Sequence, residues 1–178
     1  YLPAQPVKDE AGNWIHINIP LPGRLLYAKV WCMSVGRIKL YLLDTDITEN
    51  NEEDRKVTAQ LYGGDWEMRL KQEMLLGIGG VRMLDALNIH PNLYHLNEGH
   101  AAFSTLERLH RNILTRNLVF DEALEVVRGS SLFTTHTPVP AGHDAFSEDL
   151  LRAYLSNYDN DLNISWQQFM GLGRLNEW

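Results

Sequence analysis

The sequence predicts an α/β fold: an antiparallel β meander first, then strands and helices alternating around a partly parallel sheet. Two observations carry this expectation. Apolar runs up to Leu43 are strand-like, and the first of them alternates strictly, the period of a half-buried strand. From Asn92 onward, short apolar runs alternate with longer segments of helical period, the pattern of β-α units.

The first strand is expected where Ile15, Ile17 and Ile19 alternate with His16, Asn18 and Pro20, after the turn signal Gly12-Asn13. Pro20 to Gly23 breaks that run, and Leu26 to Val35 forms the second strand. Gly36-Arg37 marks a turn into the third strand, Ile38 to Leu43. Residues 44–54 are polar and acidic, as suits a loop running into a helix N-terminus, where the helix dipole favours carboxylates. A short helix is expected over Asp54 to Leu61, ended by Gly63-Gly64. Asp65 is then placed to cap a long helix from Trp66 to Leu87, with Met68, Leu75, Ile78, Val81, Met83 and Leu84 at helical spacing.

Asn92 to Leu96 reads as a short buried strand and Gly99 to Leu114 as a helix, with Ala102, Phe103, Leu106, Leu109 and Ile113 on one side. A helix over Asp121 to Arg128 opens on an Asp cap, and Ser131 to Thr135 is a strand. Helices over Ser147 to Leu155 and Ser165 to Leu172 follow, the last capped by Ser165. With no repeat, low-complexity run or flexible linker, one structural unit is expected, β-rich over residues 1–46 and α/β over residues 47–178.

The 178 residues, 44% of them apolar, suffice for a globular domain with a core. A net charge of −7 with scattered basic residues argues against a nucleic-acid partner. The lone Cys32 sits in an apolar, strand-like run and reads as a buried structural thiol. It cannot build an internal disulfide framework, which suits a reducing cytoplasm. No signal-peptide pattern or apolar run of ~18 residues is present, so no membrane partner is expected. The chain opens on Tyr1 rather than Met, as an excised piece would.

In an open α/β sheet, ligands bind beyond the carboxyl ends of the parallel strands. Two segments are built for that place. In one, an apolar strand ends in Asn97, Glu98 and His100 at a corner where a helix begins at Gly99. In the other, Phe133 to Thr135 runs into a polar loop carrying His136, Thr137, His143 and Asp144, stiffened by Pro138 and Pro140. His100 and His136 are candidates to touch a ligand, and each is equally open to a structural hydrogen-bonding role. Asn97 and Thr137 could instead satisfy helix or turn backbone. The pairs His95/His100 and His136/His143 match no common metal-ligand spacing, so no metal is expected. Gly77-Ile78-Gly79-Gly80 is not a dinucleotide loop, because it lies inside a helical pattern; small residues that let a helix approach its neighbour explain it better. Arg69, Lys71 and Glu73 read as a solvated charged face.

Four segments, in order, resemble the α-glucan phosphorylase family. Tyr41 to Asp46, followed by Glu49-Asn50, is similar to the Y-L-L-D-x-[DN] segment of its shorter bacterial and archaeal branch. Tyr62 to Glu73, continuing through Leu76 to Arg82, resembles the segment containing R-L-K-Q-E. His95 to His100 resembles the N-[DE]-x-H motif, and Thr134 to Pro140 the T-x-H-T motif.

The resemblance implies part of the N-terminal, Rossmann-like lobe of a two-lobed (GT-B type) glycosyltransferase. It implies α-glucan and inorganic phosphate as partners, α-glucose 1-phosphate as product, and pyridoxal phosphate held on a lysine of the other lobe. By the same resemblance His100 is the catalytic and substrate-binding histidine, its imidazole on the sugar 6-hydroxyl and its carbonyl facing the anomeric centre. Asn97 and Asp65 are assigned to substrate binding, and Glu98 to the framework of the corner. Nothing in the chain resembles the lysine site, the cationic phosphate-binding residues or the acceptor half. The chain alone is therefore expected to be an inactive fragment that binds no pyridoxal phosphate and self-associates through exposed apolar surface. Two other readings are a glucan-binding module without catalysis and a relative of the nucleotide-sugar-dependent glycogen synthases. The dispersed Trp14, Trp31, Trp66, Trp166 and Trp178 argue against the first. The absence of a basic, glycine-rich motif near the start argues against the second.

Overall fold

A computed structural model describes residues 3–61, 64–137, 139 and 144–174. Its internal contacts divide the chain into two compact units, Tyr1–His90 and Pro91–Trp178.

The first unit is built on a four-stranded antiparallel sheet of β1 (Gln5–Pro6), β2 (His16–Leu21), β3 (Arg24–Val35) and β4 (Ile38–Asp44). The twelve residues of β3 make it the common partner. Its first half pairs with β2, from Leu21↔Arg24 to His16↔Lys29, and its second half with β4, from Lys29↔Asp44 to Val35↔Ile38. The alternation seen in the sequence becomes two faces. Ile17, Ile19, Leu21, Leu26, Ala28 and Val30 are buried, whereas Val35, Ile38, Leu40 and Leu42 remain exposed. Cys32 is only half-buried, a correction to its reading as a core thiol.

Below Lys29, β3 has no β4 partner on its outer edge, and a side chain takes the place of a strand. Asn50 Oδ1 accepts from Tyr27 N at 2.9 Å, and its Nδ2 donates to Tyr27 O at 2.7 Å and to Thr45 O at 2.8 Å. The acidic loop is thereby fixed to the sheet. The helix expected over Asp54 to Leu61 is only a single 3-10 turn, Asp54–Lys56. Local bonds compete with it: Arg24 grips the Asp54 carboxylate, and Thr58 Oγ1 turns to accept from Thr45 N at 3.0 Å.

The long helix runs where the spacing put it, in three joined parts: α1 (Trp66–Met74), a π-helical turn (Leu75–Gly79) and α2 (Gly80–Ala86). Asp65 caps it, accepting from Met68 N at 2.9 Å. Of its glycines, Gly79 acts as a spacer. A Cβ on Gly79 would lie 3.2 Å from Ile17 Cδ1 and 3.4 Å from Leu43 Cδ1, while one on Gly80 meets nothing within 4 Å. This close approach is why residues 47–90 join the meander, so the compositional change at residue 46 is not a division of the structure. It also makes a prediction. G80A should stabilise the chain by about 0.4–1 kcal/mol through the unfolded state, whereas G79L should cost about 1–3 kcal/mol from overpacking. Urea unfolding of both variants checks this.

Arg69, Lys71 and Glu73 do not form a solvated face. Lys71 and Glu73 are buried and Arg69 nearly so, with Arg69 paired to Glu73 at 3.1 Å and Lys71 to Glu67 at 3.3 Å. The helix is covered on this side as well, and Lys71 is close enough to Asp54 to favour its charge.

In the second unit β5 (Tyr94–Asn97) and β6 (Ser131–Thr134) pair in parallel, Tyr94↔Ser131 to Asn97↔Thr134. The connection between them holds a 3-10 turn (Gly99–Ala101), α3 (Ser104–Arg116) and α4 (Phe120–Gly129). Helices α5 (Glu148–Leu155), α6 (Tyr158–Asp161) and α7 (Trp166–Gly171) follow. Ser165 caps α7 as its position predicts, and Ser147, placed inside its helix by the sequence, instead caps α5. Asp121 does not cap α4. Val119 holds that place, and Glu122 Oε2 accepts from Val119 N at 3.2 Å. Helix α6 was not expected: Tyr158 and Leu162 at its ends are buried, and the Tyr158 hydroxyl donates to buried Glu107 at 3.0 Å.

The charged residue Arg108 lies inside this unit, its guanidinium 3.9 Å from the centre of the Tyr94 ring and 2.7 Å from Ser131 Oγ. It thus joins α3 to both strands, and burial lowers its pKa from the usual arginine value. Among the described residues no helix is long and apolar enough to cross a membrane.

Candidate functional site

Parallel pairing puts the carboxyl ends of β5 and β6 side by side, with Asn97 opposite Thr134. One more rung follows, from Glu98 N to Thr134 O at 2.8 Å. The chain then turns sharply, because Glu98 has φ 62° and ψ −176°, a conformation that residues with a Cβ rarely adopt. Such strain persists only where the surroundings over-determine it, and here they do. Glu98 Oε1 accepts from His136 N at 2.6 Å and from Thr137 Oγ1 at 3.2 Å, and Oε2 accepts from Thr135 Oγ1 at 3.2 Å. One buried carboxylate therefore fastens the loop after β6 to the loop after β5. The His136 N–H is the main cause that holds its pKa below the ordinary 4.5; burial opposes this, and the two threonines add to it.

The side chains around this clamp are polar and exposed. His136 Nε2 is 2.9 Å from Asn97 Oδ1, and His95 Nε2 is 2.7 Å from Thr134 Oγ1. His100 sits in the 3-10 turn, with Nδ1 3.7 Å from Asp144 Oδ2 and 30% of its side chain exposed. It is thus neither sealed in the core nor wholly in solvent. Phe103 and Phe146 lie beside this pair in sequence, their rings 6.2 Å apart.

Of the residues expected to form the site, Asn97, His100 and His136 fall on these two strand-end loops. Asp65 belongs to the first unit, where Oδ1 of its carboxylate caps α1. His143, Pro138 and Pro140 lie outside the described residues. The sequence did not assign Asp144 to His100, since no local spacing links two residues so far apart in the chain. Nor did it assign Thr135 and Thr137 to Glu98. The signal for that was two strands in parallel register, each ending in polar residues at the same level.

No protein-family model matches the chain. Curated proteins do. It is 45% identical over 177 residues to the maltodextrin phosphorylase of Thermococcus litoralis, an alignment covering 97% of this chain and 20% of that protein. It is 44% identical over 166 residues to the glycogen phosphorylase of Mycobacterium tuberculosis, covering 90% of this chain and 19% of that protein. The chain is related to one segment of the glycogen and maltodextrin phosphorylases. The glycogen phosphorylase of Aquifex aeolicus, 38% identical over 138 residues, agrees. This phosphorylase-related chain spans about a fifth of the length of the curated relatives it matches. Two of its four phosphorylase-like segments, His95 to His100 and the Thr134 to Thr137 part of the last, are the ones that the Glu98 carboxylate joins.

Proposed function

We propose that this chain is part of the N-terminal, Rossmann-like lobe of a two-lobed phosphorylase, all 178 residues acting as one part of that lobe. Its strand-end corner grips the glucosyl unit that inorganic phosphate releases from an α-1,4-glucan as α-glucose 1-phosphate. The observation that carries this reading is the parallel register of β5 and β6, which sets Asn97 at, and His100 and His136 just past, two adjacent carboxyl ends, where open α/β sheets take their ligands.

In this reading the His100 imidazole bonds a sugar hydroxyl and its backbone carbonyl faces the anomeric carbon. Cleavage of a glycosidic bond builds positive charge at that carbon. A carbonyl dipole already aimed there stabilises the charge without reorganising. Asn97 bonds sugar hydroxyls from the neighbouring strand end. Asp65, in the first unit, is assigned to glucan binding by the resemblance alone, one oxygen of its carboxylate capping α1.

Pyridoxal phosphate belongs to the longer enzyme in this reading, and the lysines here do not fit it. A lysine that forms a Schiff base needs a desolvated pocket. Lys8, Lys39 and Lys56 are exposed, Lys29 lies against the Trp14 and Trp31 rings and pairs with Asp44, and Lys71 pairs with Glu67.

The test uses a phosphorylase-length polypeptide containing this segment, assayed with maltodextrin and phosphate. H100A should lower kcat/KM about tenfold or more, the loss expected of one directed hydrogen bond together with its positioning. The isolated chain should release no glucose 1-phosphate and gain no pyridoxal absorbance. An H100A enzyme with unchanged kinetics, or phosphorolysis by the isolated chain, overturns the reading. A nucleotide-glucose donor in place of phosphate separates it from a synthase-like activity. Cytoplasmic location is part of the same reading. So is self-association of the isolated chain through the exposed row Ile38, Leu40 and Leu42; light scattering that shows a monodisperse monomer contradicts that part.

A further inference from the structure

The first unit holds a cleft of its own, of about 530 Å³. It is lined by Asp44, where β4 ends, by Asp46 just beyond, and by Glu52, Arg55, Lys56 and Thr58 of the following segment. The volume suits a small molecule, and the walls are hydrophilic. Their charges are largely matched within the wall. Asp44 Oδ2 accepts from Trp31 Nε1 at 3.0 Å and pairs with Lys29 Nζ at 3.1 Å, while Oδ1 accepts from Asp46 N at 2.9 Å. Asp46 Oδ1 accepts from Arg55 Nε at 2.7 Å and lies 2.6 Å from Nη2. Both contacts fall on one oxygen. Asp46 Oδ2 and Arg55 Nη1 therefore have no hydrogen-bond partner among the described residues, and the two side chains are 63% and 42% exposed. The exposed Glu52 and Lys56 add an acceptor and a set of donors.

This lining excludes most ligand classes. An anion meets the carboxylates of Asp44, Asp46 and Glu52, and a cation meets Arg55 and Lys56. An apolar ligand would desolvate all of them without replacing their bonds to water. A hydroxyl group both donates and accepts, so two adjacent hydroxyls match an acceptor and a donor set side by side. The ion pair holds Asp46 and Arg55 in that relation before any ligand arrives, which lowers the cost of binding. We propose that this cleft binds a neutral ligand bearing vicinal hydroxyls. Asp46 and Arg55 take one adjacent pair, and Glu52 and Lys56 take further hydroxyls. A short sugar chain and a free polyol share this chemistry. The site lies wholly in the first unit, so it stands apart from the reading of the strand ends.

The test is amide NMR of the whole 178-residue chain, titrated separately with maltotetraose, sorbitol and inorganic phosphate. Maltotetraose or sorbitol should move the amides of Asp46, Arg55 and Lys56 saturably. Saturation by maltotetraose alone identifies a sugar chain as the source of the hydroxyls, and saturation by sorbitol a free polyol; either supports the proposal. R55M should weaken binding about tenfold or more, as for a hydrogen bond to a charged group, and K56A should weaken it several-fold. The Tyr27 and Thr45 amides, held by Asn50 and Thr58, show that the loop stays in place in each variant. Where it does stay, binding indifferent to R55M overturns the proposal. So does the absence of saturable movement with both neutral probes, or tighter binding of phosphate than of either. Movement confined to the His100 and His136 amides assigns the sugar to the strand ends and overturns it as well.

Discussion

Replacing Asp54 by Ala is expected to destabilise the first unit by about 2–3 kcal/mol, below the 3–5 kcal/mol typical of breaking a fully buried pair. Asp54 is 1% exposed and receives a two-pronged grip from Arg24, Nε to Oδ2 at 2.6 Å and Nη2 to Oδ1 at 2.8 Å. Asn51 Nδ2 adds a third bond at 2.9 Å. The variant leaves Arg24 and Asn51 without this acceptor, but the Arg24 side chain is 37% exposed and regains water, which lowers the cost. The pair matters beyond its own energy because it closes the acidic loop that carries Asn50 onto the sheet.

The same residue gives a pH dependence of definite sign. The Arg24 hydrogen bond is the largest cause that lowers the Asp54 pKa from its ordinary 3.8. A carboxylate with a depressed folded-state pKa contributes stability that is complete above the unfolded value and is lost as pH falls through the folded one. Wild type should therefore lose this contribution below pH 3.8. D54N, already less stable at neutral pH, should show a shallower acid limb in urea midpoints measured from pH 6 to pH 2. Parallel acid limbs for the two proteins would contradict the assignment.

Local chemistry was legible in the sequence, and pairing across the chain was not. The period of two at Ile15, Ile17 and Ile19 revealed the strand because only one face of the sheet is covered. Asp65 and Ser165 announced their helices because a cap acts within three residues of itself. The turn at Asp54 was misread for the converse reason. Its acidic residues suit a helix start, but the Asp54 carboxylate goes to Arg24, thirty positions away. Arg69, Lys71 and Glu73 were misread as solvated because charge alone does not reveal a partner four residues along the same helix and cover from outside it. At the site, the strand ends singled out Asn97, His100 and His136 as positions. The carboxylate that joins them was legible only once the parallel register put Glu98 beside Thr135 to Thr137.

Loss of the Glu98 carboxylate is the second large effect, and it is expected at the corner itself. In E98A the His136 amide loses its acceptor, and its hydrogen exchange should accelerate tenfold or more, as for a bond to a charged group. Two influences must be separated, since Glu98 both clamps the loop and occupies a backbone conformation with φ 62°. E98G removes the clamp and relieves the backbone strain. It should therefore exchange at His136 as fast as E98A and yet resist urea better. If E98G instead restores slow exchange, strain rather than the clamp governs the loop. Titration offers an independent check with its sign fixed in advance. The His136 N–H and the threonine hydroxyls favour the ionised form and hold the pKa below the ordinary 4.5. The clamp is complete above that value and is lost as pH falls through the lowered one. After correction for intrinsic exchange chemistry, protection of the His136 amide should be constant from pH 7 to pH 5 and fall below pH 4.5 in wild type. E98A should show no such step, since the group that titrates is gone. A wild-type step centred above pH 5 would contradict the assignment of the clamp to the Glu98 carboxylate.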